Sequence, residues 1–199
     1  MMHNSFIVTS LIAAATSAYF PAIDVTVDGA PTTLYVHYPE PWSEATVSGD
    51  SVSFDFNNRM YLSKSPTTDP SQYFTPQMLG GYVEYDVDLS GVGCGCLTAF
   101  YGVLMPGLDN ATDPFQYCGA GRNAASACPE FDIMEANKYG FRGTSHRCDP
   151  PDENGIFDQC DHSGQCTVDV LRNDRDADYG PGSGYAIDTT QPFTVRADY

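Results

Sequence analysis

The chain has 199 residues, with 26 acidic against 9 basic side chains and a formal charge of −17, long enough for one domain with a sizeable core. A surface of that sign repels phosphate backbones and anionic lipid, which argues against nucleic acid and the membrane as partners; a neutral polymer is indifferent to it. Residues 6–18 form a short apolar run that ends in small residues and is preceded by Met-Met-His-Asn-Ser without a basic residue. It reads as a secretory signal cleaved after Ala18, with a buried strand or helix as the alternative. Too short to span a bilayer, it is followed by no longer apolar stretch, so residues 19–199 are expected to form a single soluble, extracellular domain.

From there on no helical period is sustained. Short runs rich in aromatic and β-branched residues alternate with Gly, Pro, Asn and Asp clusters, which is an all-β pattern. The strands expected in chain order are 33–38, 51–56, 59–62, 82–89, 97–105, 130–136, 185–187 and 193–198. The clearest is 82–89, where Val83, Tyr85, Val87 and Leu89 share one face and Tyr82, Glu84, Asp86 and Asp88 the other. Many short strands at this spacing imply two antiparallel sheets face to face, a β-sandwich or jelly roll. The last run stops at Tyr199 without a closing turn, which reads as an incomplete sandwich.

Residues 107–129 and 138–184 are rich in Gly, Asp, Asn and Cys and read as long functional loops. All seven cysteines lie between positions 94 and 166, and with a secretory signal they read as a disulfide framework of unknown pairing. The odd count leaves one thiol free or paired outside this sequence. Neither Cys94-x-Cys96 nor the Cys160–Cys166 spacing fits a common zinc site. Asp174-x-Asp176-x-Asp178 fails as a calcium loop, because Tyr179 and Tyr185 stand where such a loop needs Gly and a bidentate acid. No metal is expected. Asn110-Ala111-Thr112 is a glycosylation sequon.

The chemistry-bearing stretch is Cys128-Pro129-Glu130-Phe131-Asp132-Ile133-Met134-Glu135-Ala136-Asn137. Strict alternation along a strand puts Glu130 and Asp132 on one face and Glu135 on the other. A β-bulge near Met134 would absorb one residue and return Glu135 to the face of Glu130. The two carboxyls could then approach to about 5–6 Å, the separation of a retaining glycosidase. Asp132, between them, would hydrogen-bond Glu130, and crowded like charges would raise the pKa of at least one acid. The alternative is a solvated acidic strand face.

With this strand stand His146-Arg147-Cys148, Tyr179-Gly180-Pro181-Gly182-Ser183, Asp188-Thr189-Thr190, Phe193-Thr194-Val195, Arg59-Met60-Tyr61-Leu62, Glu84-Tyr85-Asp86-Val87-Asp88 and Ala99-Phe100-Tyr101. Together, from about Val47 to Tyr199, these segments resemble glycoside hydrolase family 7, the secreted cellobiohydrolases and endoglucanases of the jelly-roll clan shared with family 16. The resemblance implies Glu130 as nucleophile, Asp132 as its partner, Glu135 as acid/base, and Tyr101, Tyr117 and His146 as sugar-facing residues. Each of these last three reads equally well from the residues alone as a satisfied buried tyrosine or loop histidine.

The sequence departs from the family pattern at Met134, where the family has Trp, at Leu97, where it has Asn, and at Gly119 and Gly121, where it has an acid and an amide. The family's catalytic domain is also longer, and its further part supplies strands, cleft loops and tryptophans; here Trp42 is the one tryptophan. The resemblance thus implies a monomeric, cofactor-free hydrolase of β-1,4-glucan acting with retention. Two alternatives stay open: a family-16-like β-1,3 or mixed-linkage glucanase, and a non-catalytic glucan-binding or inactive sandwich.

Overall fold

A computed structural model describes residues 20–39, 45–105, 115–121, 127–169 and 178–199. The signal-like run, the Asn110 sequon, Trp42, Asp174 and Asp176 lie outside the described residues. Among those described, every regular element but one short 3-10 turn, Pro70–Gln72, is a β-strand, and no helix is long and apolar enough to cross a membrane. The chain divides into two compact units, one ending at Thr75 and the other running from Pro76 to Tyr199.

In the first unit, β1 (Ala22–Val27) and β2 (Ala30–His37) form a hairpin, and β5 (Tyr61–Ser63) pairs with the far edge of β2. The hairpin turns on Asp28-Gly29, both at positive φ (51° and 76°), the backbone that a two-residue turn needs to match strand twist and that Asp-Gly supplies cheaply. A second hairpin joins β3 (Thr46–Ser48) to β4 (Ser51–Ser53). Ile23, Leu34, Val36 and Tyr38 bury their side chains in a cluster covered by Met60, Leu62 and Phe74. His37 is fully buried among Phe20, Tyr61 and Tyr73, and burial lowers its pKa.

The second unit holds a four-stranded antiparallel sheet in the order β10-β9-β8-β7, made of β7 (Thr98–Val103), β8 (Glu130–Asn137), β9 (Gly140–His146) and β10 (Cys166–Asp169). A second layer pairs β6 (Tyr82–Val87) with β13 (Phe193–Asp198). The layers meet through Leu89, Met134 and Ala136, all buried, with Tyr85, Val87, Val92, Phe141 and Phe193 around them. β6 alternates exposed and inward residues along its whole length, as its sequence implies. Each apolar side chain removed from water there contributes about 1.5–3 kcal/mol. Leu89 is completely buried, so Leu89→Ala should cost about 2–5 kcal/mol, measured by urea unfolding at unchanged slope.

The Tyr-Gly-Pro-Gly-Ser segment is a structural clamp on the β8–β9 hairpin. Tyr179 and Gly180 (β11) pair in parallel with Ile187 and Asp188 (β12). The Tyr179 hydroxyl donates to the Asn137 carbonyl at 2.7 Å, and Thr189 Oγ1 donates to the Lys138 carbonyl at 2.8 Å. A Cβ on Gly180 would lie 2.6 Å from the Tyr185 ring, so only glycine allows this approach.

Three expectations change. The stretch read as a loop from 138 to 184 contains β9, β10 and β11, because the turn Lys138-Tyr139 closes a two-residue hairpin: Asn137 Oδ1 accepts from the Tyr139 and Gly140 amides at 2.8 and 3.1 Å. The strand expected at 185–187 is only Ile187–Asp188. Cys118–Cys128 and Cys148–Cys160 are disulfides, which leaves three free cysteines rather than one: Cys94, Cys96 and Cys166.

Candidate active site

The site is built on β8, and its geometry comes from one irregularity. Against β7, Phe100 pairs with Met134 and Tyr101 with Asp132, so the register skips Ile133. Against β9, Thr144 pairs with Asp132 and Arg142 with Glu135, so Gly143 alone opposes both Ile133 and Met134. This is a β-bulge of one extra residue. A Cβ on Gly143 would stand 3.4 Å from the Asp132 and Ile133 carbonyl oxygens, so a small residue suits the crowded side of the bulge.

The partners reveal the faces. Arg142, Thr144 and His146 alternate regularly and so point to one side of the sheet; opposite them stand Glu135, Asp132 and Glu130. Ala99, Tyr101 and Val103 give the same answer from β7. Glu130, Asp132 and Glu135 therefore share one face, while Met134 and Ala136 enter the core on the other. Met134 is 2% exposed and fills that core.

Glu130 and Asp132 have distinct settings. Glu130 Oε2 accepts the Ala120 amide at 2.8 Å. A Cβ on Gly119 would sit 3.0 Å from that oxygen and 3.2 Å from the Tyr117 hydroxyl, so glycine lets the segment close on the carboxylate. Asp132 is 5% exposed, and its Oδ2 lies 3.0 Å from His146 Nε2. The hydrogen bond expected between Asp132 and Glu130 is thus made to His146 instead. Burial, and then the charges of Glu130 and Glu135, push the Asp132 carboxyl up to about 6, with His146 pulling the other way.

His146 completes a chain to Asp161. The Asp161 carbonyl, 2.6 Å from Nδ1, can only accept, so Nδ1 carries a proton. The Nε2–Asp132 bond then needs one more proton, held either by the imidazole or by the carboxyl. Burial disfavours the imidazolium, but the Asp161 carbonyl and the Asp132 and Glu130 carboxylates outweigh it and raise the His146 pKa. The Asp161 carboxylate caps its own turn, accepting the Ser163, Gly164 and Gln165 amides, which holds its pKa low. Tyr101 and Tyr117 meet at the same face, with hydroxyls 3.3 Å apart.

All six residues singled out from the sequence are thus brought together. Sequence reasoning did not single out Ala120, Asp161, Arg142 or Asp169. Asp161-His162-Ser163-Gly164 is a turn signal that could have indicated the cap; the others depend on pairing between distant strands.

The two-layer antiparallel β-fold of this chain is shared with solved cellulase structures. The disulfides expected from the cysteine content are present as well. A solved endoglucanase I in complex with cellobiose superposes with a TM-score of 0.67 at 18% identity, covering 90% of this chain and 65% of that one. A family 7 cellobiohydrolase from Daphnia pulex gives 0.56 at 21% identity, over 94% and 50%. Residues 107–199 match Glycosyl hydrolase family 7, so the resemblance read from the residues is borne out over that segment. The endo-β-1,4-glucanase celB of Emericella nidulans is 26% identical over 180 residues, 71% of this chain. The chain spans 42% of the length of that relative.

Proposed function

We propose that this chain hydrolyses β-1,4-linked glucan with retention of anomeric configuration. The observation that carries the reading is the bulge at Ile133 and Met134, which sets Glu135 beside Glu130 and Asp132 on one face. Glu130 is the nucleophile: the Ala120 amide engages Oε2 and leaves Oε1 to attack the anomeric carbon. As that bond forms, the glycosidic carbon–oxygen bond breaks and the Glu135 carboxyl gives its proton to the departing oxygen. In the second half Glu135, now a carboxylate, takes a proton from water. The water oxygen attacks the anomeric carbon and Glu130 leaves.

Asp132 and His146 hold one mobile proton beside the nucleophile, and Tyr101 and Tyr117 offer ring faces and hydroxyls to the sugar. The names of the relatives, an endo-β-1,4-glucanase and an endoglucanase complexed with cellobiose, support cellulose-type oligosaccharides as the substrate class. Secretion through a signal ending at Ala18, glycosylation at Asn110 and action as a monomer by residues 19–199 belong to the same reading. Two disulfides favour an oxidising compartment.

The test incubates the purified chain with cellotetraose and, separately, with a β-1,3-glucan, and follows released sugar and its anomeric form by NMR. Cleavage of cellotetraose to the β-anomer first is the expected result. Preference for the β-1,3 polymer would move the chain to the family-16-like reading, and binding without cleavage to a glucan-binding sandwich.

A further inference from the structure

At the level of Glu135 the four strands of the sheet present one residue each, in the order Ala99, Glu135, Arg142, Asp169. Directly opposed residues of an antiparallel pair stand on one face with Cβ atoms about 5 Å apart. Arg142 is therefore flanked by two carboxylates and can reach either. It holds Asp169: Nη2 donates to Oδ2 at 3.3 Å, and among the described residues no ion pair joins Arg142 to Glu135. The Asp169 side chain is 19% exposed and that of Arg142 is 43%, so the anchoring acid is the better shielded from water and salt.

We propose that Asp169 is a positioning residue whose ion pair keeps the Arg142 guanidinium off Glu135, leaving that carboxyl free to carry the proton the leaving group needs. The inference rests on Glu135 acting as the acid. Its chemistry is direct: a cation against Glu135 would favour the ionised form, which cannot donate. Among the described residues, the charged and titratable groups around Glu135 are Glu130 and Asp132 on its own strand, Arg142 and His146 on β9, Asp169 on β10, and Tyr101 on β7 with Tyr117 beside it. His146 is engaged by Asp132, so Arg142 is the cation whose placement decides the matter.

The experiment compares the full chain with Asp169→Asn and with Asp169→Asn/Arg142→Gln. Carbon-13 NMR follows the Glu135 carboxyl through a pH titration, the signal assigned by its loss in Glu135→Gln. Asp169→Asn should lower the Glu135 midpoint by about one pH unit or more, and the second substitution should return it. In kinetics the alkaline limb of kcat/KM for cellotetraose should move down by the same amount. Cleavage of a dinitrophenyl β-cellobioside, whose leaving group needs no proton, should hold its rate.

A folded Asp169→Asn protein with an unmoved midpoint overturns the proposal, as does a fall that persists in the double variant. Equal loss on both substrates would make Asp169 merely structural and also overturn it. A wild-type chain that cleaves neither substrate sinks the hydrolase reading instead, and the titration still decides whether Asp169 governs Arg142.

Discussion

Glu130→Gln is expected to stop the release of sugar from cellotetraose, a fall on the order of 10⁴-fold or more, while the protein keeps its melting temperature. The contrast follows from what the side chain does in each role. Structurally, one of its oxygens accepts the Ala120 amide, and the carbonyl oxygen of glutamine accepts the same bond. Chemically, the other oxygen must form a bond to carbon and later leave as a carboxylate, which an amide does poorly. The check is paired: released sugar over several hours, and thermal unfolding of both proteins by circular dichroism. Loss of both would mean that Glu130 is needed for the fold. Loss of neither would remove it from the chemistry.

Asp132→Asn, by contrast, should change the stability of the fold. In the folded chain Asp132 releases its proton at about 6, whereas an unfolded carboxylate does so near 3.9. The folded state thus binds the proton more tightly. The stability this contributes is fully present below about pH 4 and is lost as pH rises through 6. His146, raised above its ordinary value, works in the same direction: its contribution is complete below the ordinary histidine range and is lost as pH climbs past the folded value. Asparagine removes a buried charge from a crowded face and can still bond the imidazole. At pH 7 the variant should be more stable by about 2 kcal/mol, and its stability should change less between pH 4 and 6. Urea unfolding at pH 4, 5, 6 and 7 measures both. Hydrolysis should fall, since asparagine cannot take or give the proton shared with His146; such a trade of stability for function is common at active sites. A variant that is less stable at pH 7 would show that the ion pair with His146 outweighs the repulsion.

How far the sequence carried the reading depends on the range of the interactions involved. Val83, Tyr85 and Val87 revealed β6 because alternation is local, and the Glu130, Asp132 and Glu135 spacing demanded a bulge because a strand has period two. The bulge is found at Ile133 and Met134. β9 escaped notice because Gly140, Gly143, Thr144 and Ser145 carry little hydrophobic signal; pairing to β8 and β10 makes it a strand. The Asp132 partner was misassigned for the same reason. Glu130 is its neighbour along the chain, but the β8–β9 hairpin brings His146 opposite Glu130, on the same face and within reach of Asp132. Arg142 and Asp169 look like unremarkable surface residues until the register places one against the other.

The disulfide between Cys118 and Cys128 bears on how the Glu130 carboxylate is held. Cys118 lies two residues before Ala120 and Cys128 two before Glu130, so the covalent link spans both ends of the amide–carboxylate contact. Closing a loop of about ten residues this way lowers the entropy of the unfolded chain by an amount worth about 3 kcal/mol. The bond therefore braces the Glu130 carboxylate from outside the sheet, by covalent linkage rather than by strand pairing.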